Sequence, residues 1–209
     1  MMSRKRLIRT NQYPYHITSR SNNKEWFYIP IEDVWVYFQK HLKWGCSKFN
    51  VHIHAFVLMS NHYHMLLETP EANLDQFMRF FNQSLGKSIA HQADRINRIF
   101  GAPYKWSLIQ KDQYYGNVYR YIYQNPLRAG LVNYFEDYQY SSLYQKKLSP
   151  LISRQSIRIE NPIDYEWLNS QPGELVNSSI KRGLKRFEFE PGKNEKQWQR
   201  KILDLRDNP

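Results

Sequence analysis

The stretch that most constrains this chain is residues 51–69, VHIHAFVLMSNHYHMLLET, in which two apolar runs flank the polar pair Ser60-Asn61. Runs of this length around a two-residue polar break predict a β-hairpin. Residues two apart on a strand share a face, so His62 and His64 project side by side. This is the simplest way in which a strand offers two imidazoles to one metal ion.

A second His-x-His pair, His52 and His54, lies in the first strand of the hairpin. A two-residue turn pairs Val57 with His64, and paired residues share a face. This register places His62 and His64 with Ile53, Ala55 and Val57, and it places His52 and His54 on the opposite face with Phe56, Met65 and Leu67. We therefore expect His52 and His54 to be packed or capping histidines rather than metal ligands.

The flanking sequence predicts an α+β fold. Residues 13–19 and 104–109 suit strands, and apolar residues at helical spacing predict helices at about 32–44, ending at Gly45, and at about 74–91. The resulting β-α-β-β-α-β order predicts a ferredoxin-like antiparallel sheet with helices packed on it.

The chain divides into three parts on composition. Residues 1–12 form a basic arm, residues 13–148 the domain that carries both His-x-His pairs, and residues 149–209 a basic C-terminal extension with short amphipathic helical pieces. Within the domain, a third helix begins at Asp112 and is expected to stop at Pro126, because the residue before proline avoids helical backbone angles.

The charge balance points to a polyanionic partner. Lys and Arg number 30 against 19 Asp and Glu, a net charge of +11, which favours nucleic acid first and an anionic membrane surface second. The 16 tyrosines and 6 tryptophans suit single-stranded nucleic acid, whose bases stack on rings. The single cysteine, Cys46, excludes an intrachain disulfide and fits a reducing cytoplasm.

The third helix is crowded with tyrosines, at positions 114, 115, 119, 121 and 123. Tyr121 and Asn125 are four residues apart, so they lie on one helical face, about 6 Å apart along the axis. A tyrosine hydroxyl can act as a nucleophile, and asparagine offers an oxygen ligand. Spacing alone does not rank the five tyrosines, and simple packing explains them equally well.

Together, the segments MSNHYHMLLETP and VYRYIYQNPLRAGLV resemble the HUH single-tyrosine transposases, most closely the REP-associated tyrosine transposases. The two histidines around a large hydrophobic residue are His62, Tyr63 and His64. The family's YI-x-x-NP-x-R-A-G segment stands at residues 121–130, and a YHITSR-like segment stands at residues 15–20. The resemblance spans roughly residues 13–145, and it departs at Ser60, where the family often has proline.

The resemblance implies that Tyr121 is the nucleophile and that His62 and His64 bind a divalent metal, Mg²⁺ or Mn²⁺, with zinc possible on ligand type. Asn125 completes the site, with Gln124 as the fallback ligand. The implied reaction is nicking and joining of single-stranded DNA through a 5′-phosphotyrosine intermediate, on a strand bearing a palindromic hairpin. The residues expected to hold DNA are Arg20, Arg4, Lys5, Arg6, Arg120, Arg128, Lys181, Arg182, Lys185 and Arg186.

Such a protein is expected in the cytoplasm, associated with the nucleoid, as a monomer or homodimer without a membrane partner. Two other functions stay open. An inactive or domesticated descendant would bind single-stranded nucleic acid without cutting it, although such a binder has no need of the complete set of site residues. A zinc hydrolase would use His62 and His64 with Glu68, but Glu68 lies further along the strand and is poorly placed as a close third ligand.

Overall fold

The computed structural model describes residues 7–144, 152, 157, 162–170 and 172–190. Arg4, Lys5 and Arg6, three of the cations expected to hold DNA, lie outside these ranges.

The predicted ferredoxin-like core is present. The element order is β1 (Tyr15–Arg20), α1 (Ile31–Phe49), β2 (His52–Leu58), β3 (His62–Glu68), α2 (Leu74–Gln92) and β4 (Lys105–Leu108). The strands form one sheet in the order β2-β3-β1-β4, and each neighbouring pair is antiparallel.

Within the described residues, four shorter α-helices follow the sheet: α3 (Asp112–Tyr123), α4 (Asn125–Arg128), α5 (Pro162–Asn169) and α6 (Glu174–Gly183). Helix α3 ends at Tyr123, before Pro126, as predicted, and Pro126 lies in the first turn of the short helix α4 that follows. Proline is tolerated there, since the first N–H groups of a helix have no partner within the helix. The turn after α4 comes at Gly130, whose φ is +66°.

Helix α1, in contrast, continues beyond the predicted stop at Gly45 and ends before Asn50, which adopts a left-handed conformation with φ 50°. A Cβ at position 45 would lie 2.8 Å from Cε2 of Phe77. Gly45 is therefore a point of close approach between α1 and α2 rather than a helix end.

We call the two sides of the sheet the core face and the histidine face. On the core face, Ile17 pairs with Met65, and Phe56 also pairs with Met65 from the other side. Helices α1 and α2 pack here, and the Phe38 ring lies 5.4 Å from Phe56 and 5.5 Å from Tyr63 between centroids. On the histidine face, β1 and β3 place His16, Thr18, Arg20, His62 and His64.

The hairpin register is confirmed next to the turn, where Val57 pairs with His64. It shifts further along, because a β-bulge between Ile53 and Ala55 inserts one residue. A one-residue shift moves every side chain beyond it to the other face. The predictions that Ile53 lies with His62 and His64, and that His52 and His54 point to the opposite face, were therefore wrong. His52 pairs with Glu68, and Ile53 joins the core face by pairing with Leu67.

The free edge of β4 is covered by the segment after α6. The Leu108 N–H donates to the Phe187 carbonyl at 2.6 Å, and the Phe189 N–H donates to the Leu108 carbonyl at 2.9 Å. The Phe187 ring stacks on Trp106 at a centroid distance of 5.1 Å. These bonds pair backbone groups that an edge strand would otherwise expose.

Candidate active site on the histidine face

Helix α3 crosses the histidine face and brings Tyr121 against the histidines. The Tyr121 ring centroid lies 5.8 Å from that of His64, which lies 5.1 Å from that of His62. Tyr121 and His64 are each 7% exposed, so the two side chains meet largely out of bulk water. The sequence-predicted nucleophile and metal ligands thus meet within one chain.

Hydrogen bonds fix the tautomer of His62. The Asn61 Nδ2 donates to the Lys24 carbonyl at 2.6 Å, which orients the amide, and His62 Nδ1 lies 2.6 Å from Asn61 Oδ1. Since Oδ1 only accepts, Nδ1 of His62 carries the proton. The lone pair of a neutral His62 is therefore on Nε2, the atom left for a metal.

His16 was missed by the sequence reasoning. Its Nε2 lies 3.0 Å from Nδ1 of His64, and the two rings stack at a centroid distance of 5.1 Å. His16 reaches His64 because β1 pairs with β3, and it is 2% exposed. The only signal in the sequence was its place in the YHITSR segment, two residues before Thr18, the partner of His64.

Burial keeps these imidazoles neutral. It lowers the pKa of His16 to about 3 and that of His62 to about 4, where the positive charge of Arg20 adds to the effect. Burial also holds the pKa of His64 well below its ordinary value, with His16 and His62 contributing. Neutral imidazole is the form that binds metal, so His62 and His64 would lose no proton on binding a metal near pH 7.

Arg128 holds Tyr121 from the other side. Its guanidinium carbon lies 4.2 Å from the Tyr121 ring centroid, and Nη2 donates to the Tyr121 carbonyl at 2.8 Å. Burial raises the pKa of the Tyr121 phenol above its ordinary value, and the charges of Arg128 and Arg20 offset only part of that rise. The two arginines would stabilise a phenolate, and with it the developing nucleophile.

The other tyrosines of α3 have different surroundings. The hydroxyls of Tyr115, Tyr119 and Tyr123 bond to His54, to the Ile157 carbonyl and to Ser142 at 2.6, 2.9 and 2.6 Å. Tyr114 is 2% exposed and packs against Phe189. Among the residues that the structure describes, none hydrogen-bonds to the Tyr121 hydroxyl.

The two candidate third ligands differ in placement. The Asn125 Nδ2 donates to the carbonyls of Tyr121 and Ile122 at 2.9 and 3.0 Å. No donor to its Oδ1 occurs within the described ranges, which leaves this oxygen available. Gln124 is turned towards α5, and its Nε2 donates to the carbonyls of Leu168 and Ser170 at 2.8 and 2.9 Å.

The predicted DNA-binding cations fall into different environments. Arg20 is exposed at the end of β1, opposite His62. Arg120 is 5% exposed, donates to Ser170 Oγ at 2.6 Å and lies 5.7 Å from the Trp167 ring, so it packs α5 against α3. The exposed cations near the end of α6 are Lys181, Arg182, Lys185 and Arg186.

The first His-x-His pair does not join the site. His54 Nε2 lies 3.3 Å from Glu68 Oε1, and its Nδ1 contacts Tyr115. The Glu68 carboxylate is thus engaged with His54 rather than with His62 or His64. Within the described ranges, no three His, Cys, Asp or Glu side chains form a group that could hold a metal, and no helix is long and apolar enough to cross a membrane.

Comparisons with known proteins agree with the geometry. The family model described as transposase IS200 like matches residues 9–125. Among solved structures, a REP-associated tyrosine transposase bound to a REP hairpin has a TM-score of 0.59 and 17% identity, covering 77% of this chain and all of its own chain. At that identity the likeness shows the fold alone.

A putative transposase from Deinococcus radiodurans R1 has a TM-score of 0.40 and 14% identity, covering 58% of this chain and 95% of its own. No curated protein sequence matches the chain significantly.

Proposed function

Because this chain belongs to the IS200-like transposase family, we propose that it nicks and rejoins single-stranded DNA through a 5′-phosphotyrosine intermediate on Tyr121. The observation that carries this proposal is the contact between the rings of Tyr121 and His64, 5.8 Å apart on the histidine face. The matched region includes the histidines and Tyr121, and it ends at Asn125.

The residues present fit a divalent cation. His62 offers Nε2, and if His64 also offers Nε2, its Nδ1–H donates to His16. Asn125 Oδ1 would supply the third ligand. Two imidazoles and an amide oxygen suit Mn²⁺ or Mg²⁺ with positions left for phosphate and water, and zinc also accepts such ligands. When bound, the cation would polarise a non-bridging phosphate oxygen and neutralise developing charge.

The chemistry of the strand follows from a tyrosine nucleophile. The Tyr121 oxygen attacks phosphorus, its bond to phosphorus forms as the bond to the 3′ oxygen breaks, and the phenolic proton is lost to solvent. The departing 3′ oxygen takes up a proton. Arg128 and Arg20 offset the negative charge on the phenolate during attack. A second 3′-hydroxyl then attacks the same phosphorus and releases Tyr121, so the strands are joined without ATP.

The proposed substrate is a strand with a palindromic hairpin. The solved structure with the TM-score of 0.59 holds a REP hairpin, and we extend that class of DNA to this chain on the strength of the shared fold. Arg20 and the exposed cations near the end of α6 would contact phosphates. Because Tyr121, His62 and His64 come from one chain, the proposed cleavage would not require a second copy, and the DNA would place the protein at the nucleoid.

The test is covalent capture. A 5′- and 3′-labelled single strand with a short palindrome should give a protein–DNA adduct on a denaturing gel with Mg²⁺ or Mn²⁺ and none with EDTA. The doubly substituted variant His62→Ala, His64→Ala should bind the strand but form no adduct. A wild-type protein that binds such strands yet never forms an adduct, across metals and hairpins, would instead be the inactive descendant.

A further inference from the structure

We propose that Trp26 is a stacking platform for one unpaired base of the bound strand, close to the phosphate that is cut. The inference deepens the proposed function, on which it rests for the nature of the ligand. Trp26 is 76% exposed, a larger fraction than that of any other aromatic side chain for which the structure gives exposure. An indole this exposed buries little of its ring against the protein, whereas proteins that bind single strands use such rings to stack bases.

Trp26 stands on a loop whose shape is fixed. The next residue, Phe27, is 1% exposed and its ring lies 5.9 Å from Phe100. The Ser21 N–H donates to the Asn61 carbonyl at 2.8 Å, and the Phe27 N–H donates to the Ser60 carbonyl at 3.1 Å. A platform held this way loses little conformational freedom when a base stacks on it, which lowers the cost of binding.

The same bonds place Trp26 beside the candidate metal ligands. Phe27 is bonded to Ser60, which lies two residues before His62. At about 3.5 Å of chain per residue, the backbone next to Trp26 is no more than about 10 Å from that of His62. The loop also takes part in orienting His62, since the Lys24 carbonyl accepts the Asn61 amide that fixes the imidazole. A base on Trp26 would therefore lie within a few nucleotides of the phosphate at Tyr121.

The charge around Trp26 suits a nucleic acid backbone. Arg20, at the end of β1, and Lys24, two residues before Trp26, are both exposed. Arg95, on the segment after α2, lies 3.8 Å from the Tyr28 ring and brings a further cation to this loop. Glu25 is the acidic residue of the loop, and it accepts a hydrogen bond from the Tyr28 hydroxyl at 2.7 Å.

The test measures equilibrium binding of fluorescent single-stranded oligonucleotides without metal, so that no cleavage is needed. Trp26→Ala should weaken binding about 5- to 100-fold, as expected for the loss of one base–aromatic stack. Trp26→Phe, which keeps a ring, should stay within a few fold of wild type. The matched control is Trp44→Ala, since Trp44 is 56% exposed on α1 and lies outside this loop.

Two further binding measurements, one at varied salt concentration and one with abasic oligonucleotides, distinguish base stacking on Trp26 from charge interactions with phosphates. Trp26→Ala should leave the slope of log K against log salt unchanged, whereas Lys24→Ala should reduce it by about 0.7. An abasic site moved along the oligonucleotide should weaken wild-type binding at one position, and that penalty should vanish in Trp26→Ala.

The outcomes distinguish this inference from the proposed function. If wild type forms adducts but Trp26→Ala binds every oligonucleotide as tightly as wild type, the platform is wrong and the transposase chemistry stands. If Trp26→Ala lost no more affinity than the control Trp44→Ala, the proposal that Trp26 stacks on a base would also be wrong. If Trp26→Ala loses affinity and the abasic penalty disappears, the platform holds even for a protein that never forms an adduct.

Discussion

Burial has opposite energetic effects on the two faces of the central sheet. On the core face, Phe38, Phe56 and Tyr63 pack ring against ring under α1 and α2, and burial there supplies stability. On the histidine face, α3 buries His16 and His64 almost as completely. Burying a histidine costs free energy whenever it would otherwise be protonated. Burial on the core face therefore stabilises the fold. Burial on the histidine face destabilises it at pH values where a solvent-exposed histidine would be protonated.

Two tyrosines on opposite faces give the largest expected contrast. Tyr121→Phe should lower adduct formation by at least about 10⁴-fold, because the attacking oxygen is gone, with little change in the free energy of unfolding. Tyr63→Phe should keep adduct formation but cost about 1–2 kcal/mol, since the Tyr63 hydroxyl donates to Asn82 Oδ1. Gel assays and urea unfolding measure both quantities. Equal adduct formation by the two variants would contradict the claim that Tyr121 serves the reaction and Tyr63 serves the stability of the fold.

The core face is probed most strongly at Phe38. Phe38→Ala should lower the free energy of unfolding by about 3–5 kcal/mol, because Phe38 is fully buried and its ring contacts Trp35, Phe56 and Phe81. The folded fraction should still form the adduct at near wild-type rate. The measurement is chemical denaturation followed by single-turnover cleavage under native conditions. A stable but inactive Phe38→Ala protein would show that the core face also shapes the site.

Acid should destabilise the protein through the histidine face. The pKa of His16 is about 3 when folded and 6.5 in the unfolded chain, so the unfolded state takes up the proton more readily. The part of the unfolding free energy that depends on neutral His16 is fully present above pH 6.5 and is lost as the pH falls towards 3. From pH 7.5 to 5 the loss from His16 is about 2 kcal/mol. Urea unfolding of wild type and His16→Gln should show a flatter pH dependence in the variant; identical slopes would contradict this burial cost.

A further effect is expected at His16, the partner of the proposed metal ligand His64. His16→Ala should weaken Mn²⁺ binding about 10- to 100-fold, because His16 orients His64 through the 3.0 Å contact. His41→Ala is the matched control, since His41 is a buried histidine of α1 that contacts Ser88. Isothermal titration with Mn²⁺ checks both. If both variants bind Mn²⁺ like wild type, His16 only packs.

Much of the fold was predictable because it rests on local patterns. The hairpin at 51–69 and the order of helices and strands follow from apolar periodicity and a two-residue turn. The bulge after Ile53 was not predictable, because the sheet register there depends on how β2 meets β3 and α3. Gly45 was misread for a similar reason, since its role is the approach of Phe77 from another helix.

The candidate site residues were predictable from the sequence only where they lie in a recognisable local sequence motif. The HUH pair and Tyr121 stand in recognisable segments, and the structure brings their rings together. His16 needed the pairing of β1 with β3, a contact across 48 positions of sequence. The Asn61 network and the cation–π contact of Arg128 are likewise tertiary, so their part in fixing the imidazole and the phenol could be read only from the structure.

The most direct measurement is to locate the DNA–protein bond. Wild-type protein is incubated with a palindromic single strand and Mn²⁺, and the adduct is digested with nuclease and trypsin for mass spectrometry. Trypsin cuts after Arg120 and Arg128, so the peptide YIYQNPLR contains Tyr121 and Tyr123 but none of the other tyrosines of α3. A nucleotide mass on this peptide, fragmenting to Tyr121, is the predicted result. A modification on Tyr114, Tyr115, Tyr119 or Tyr123 would contradict the assignment of Tyr121 as the nucleophile.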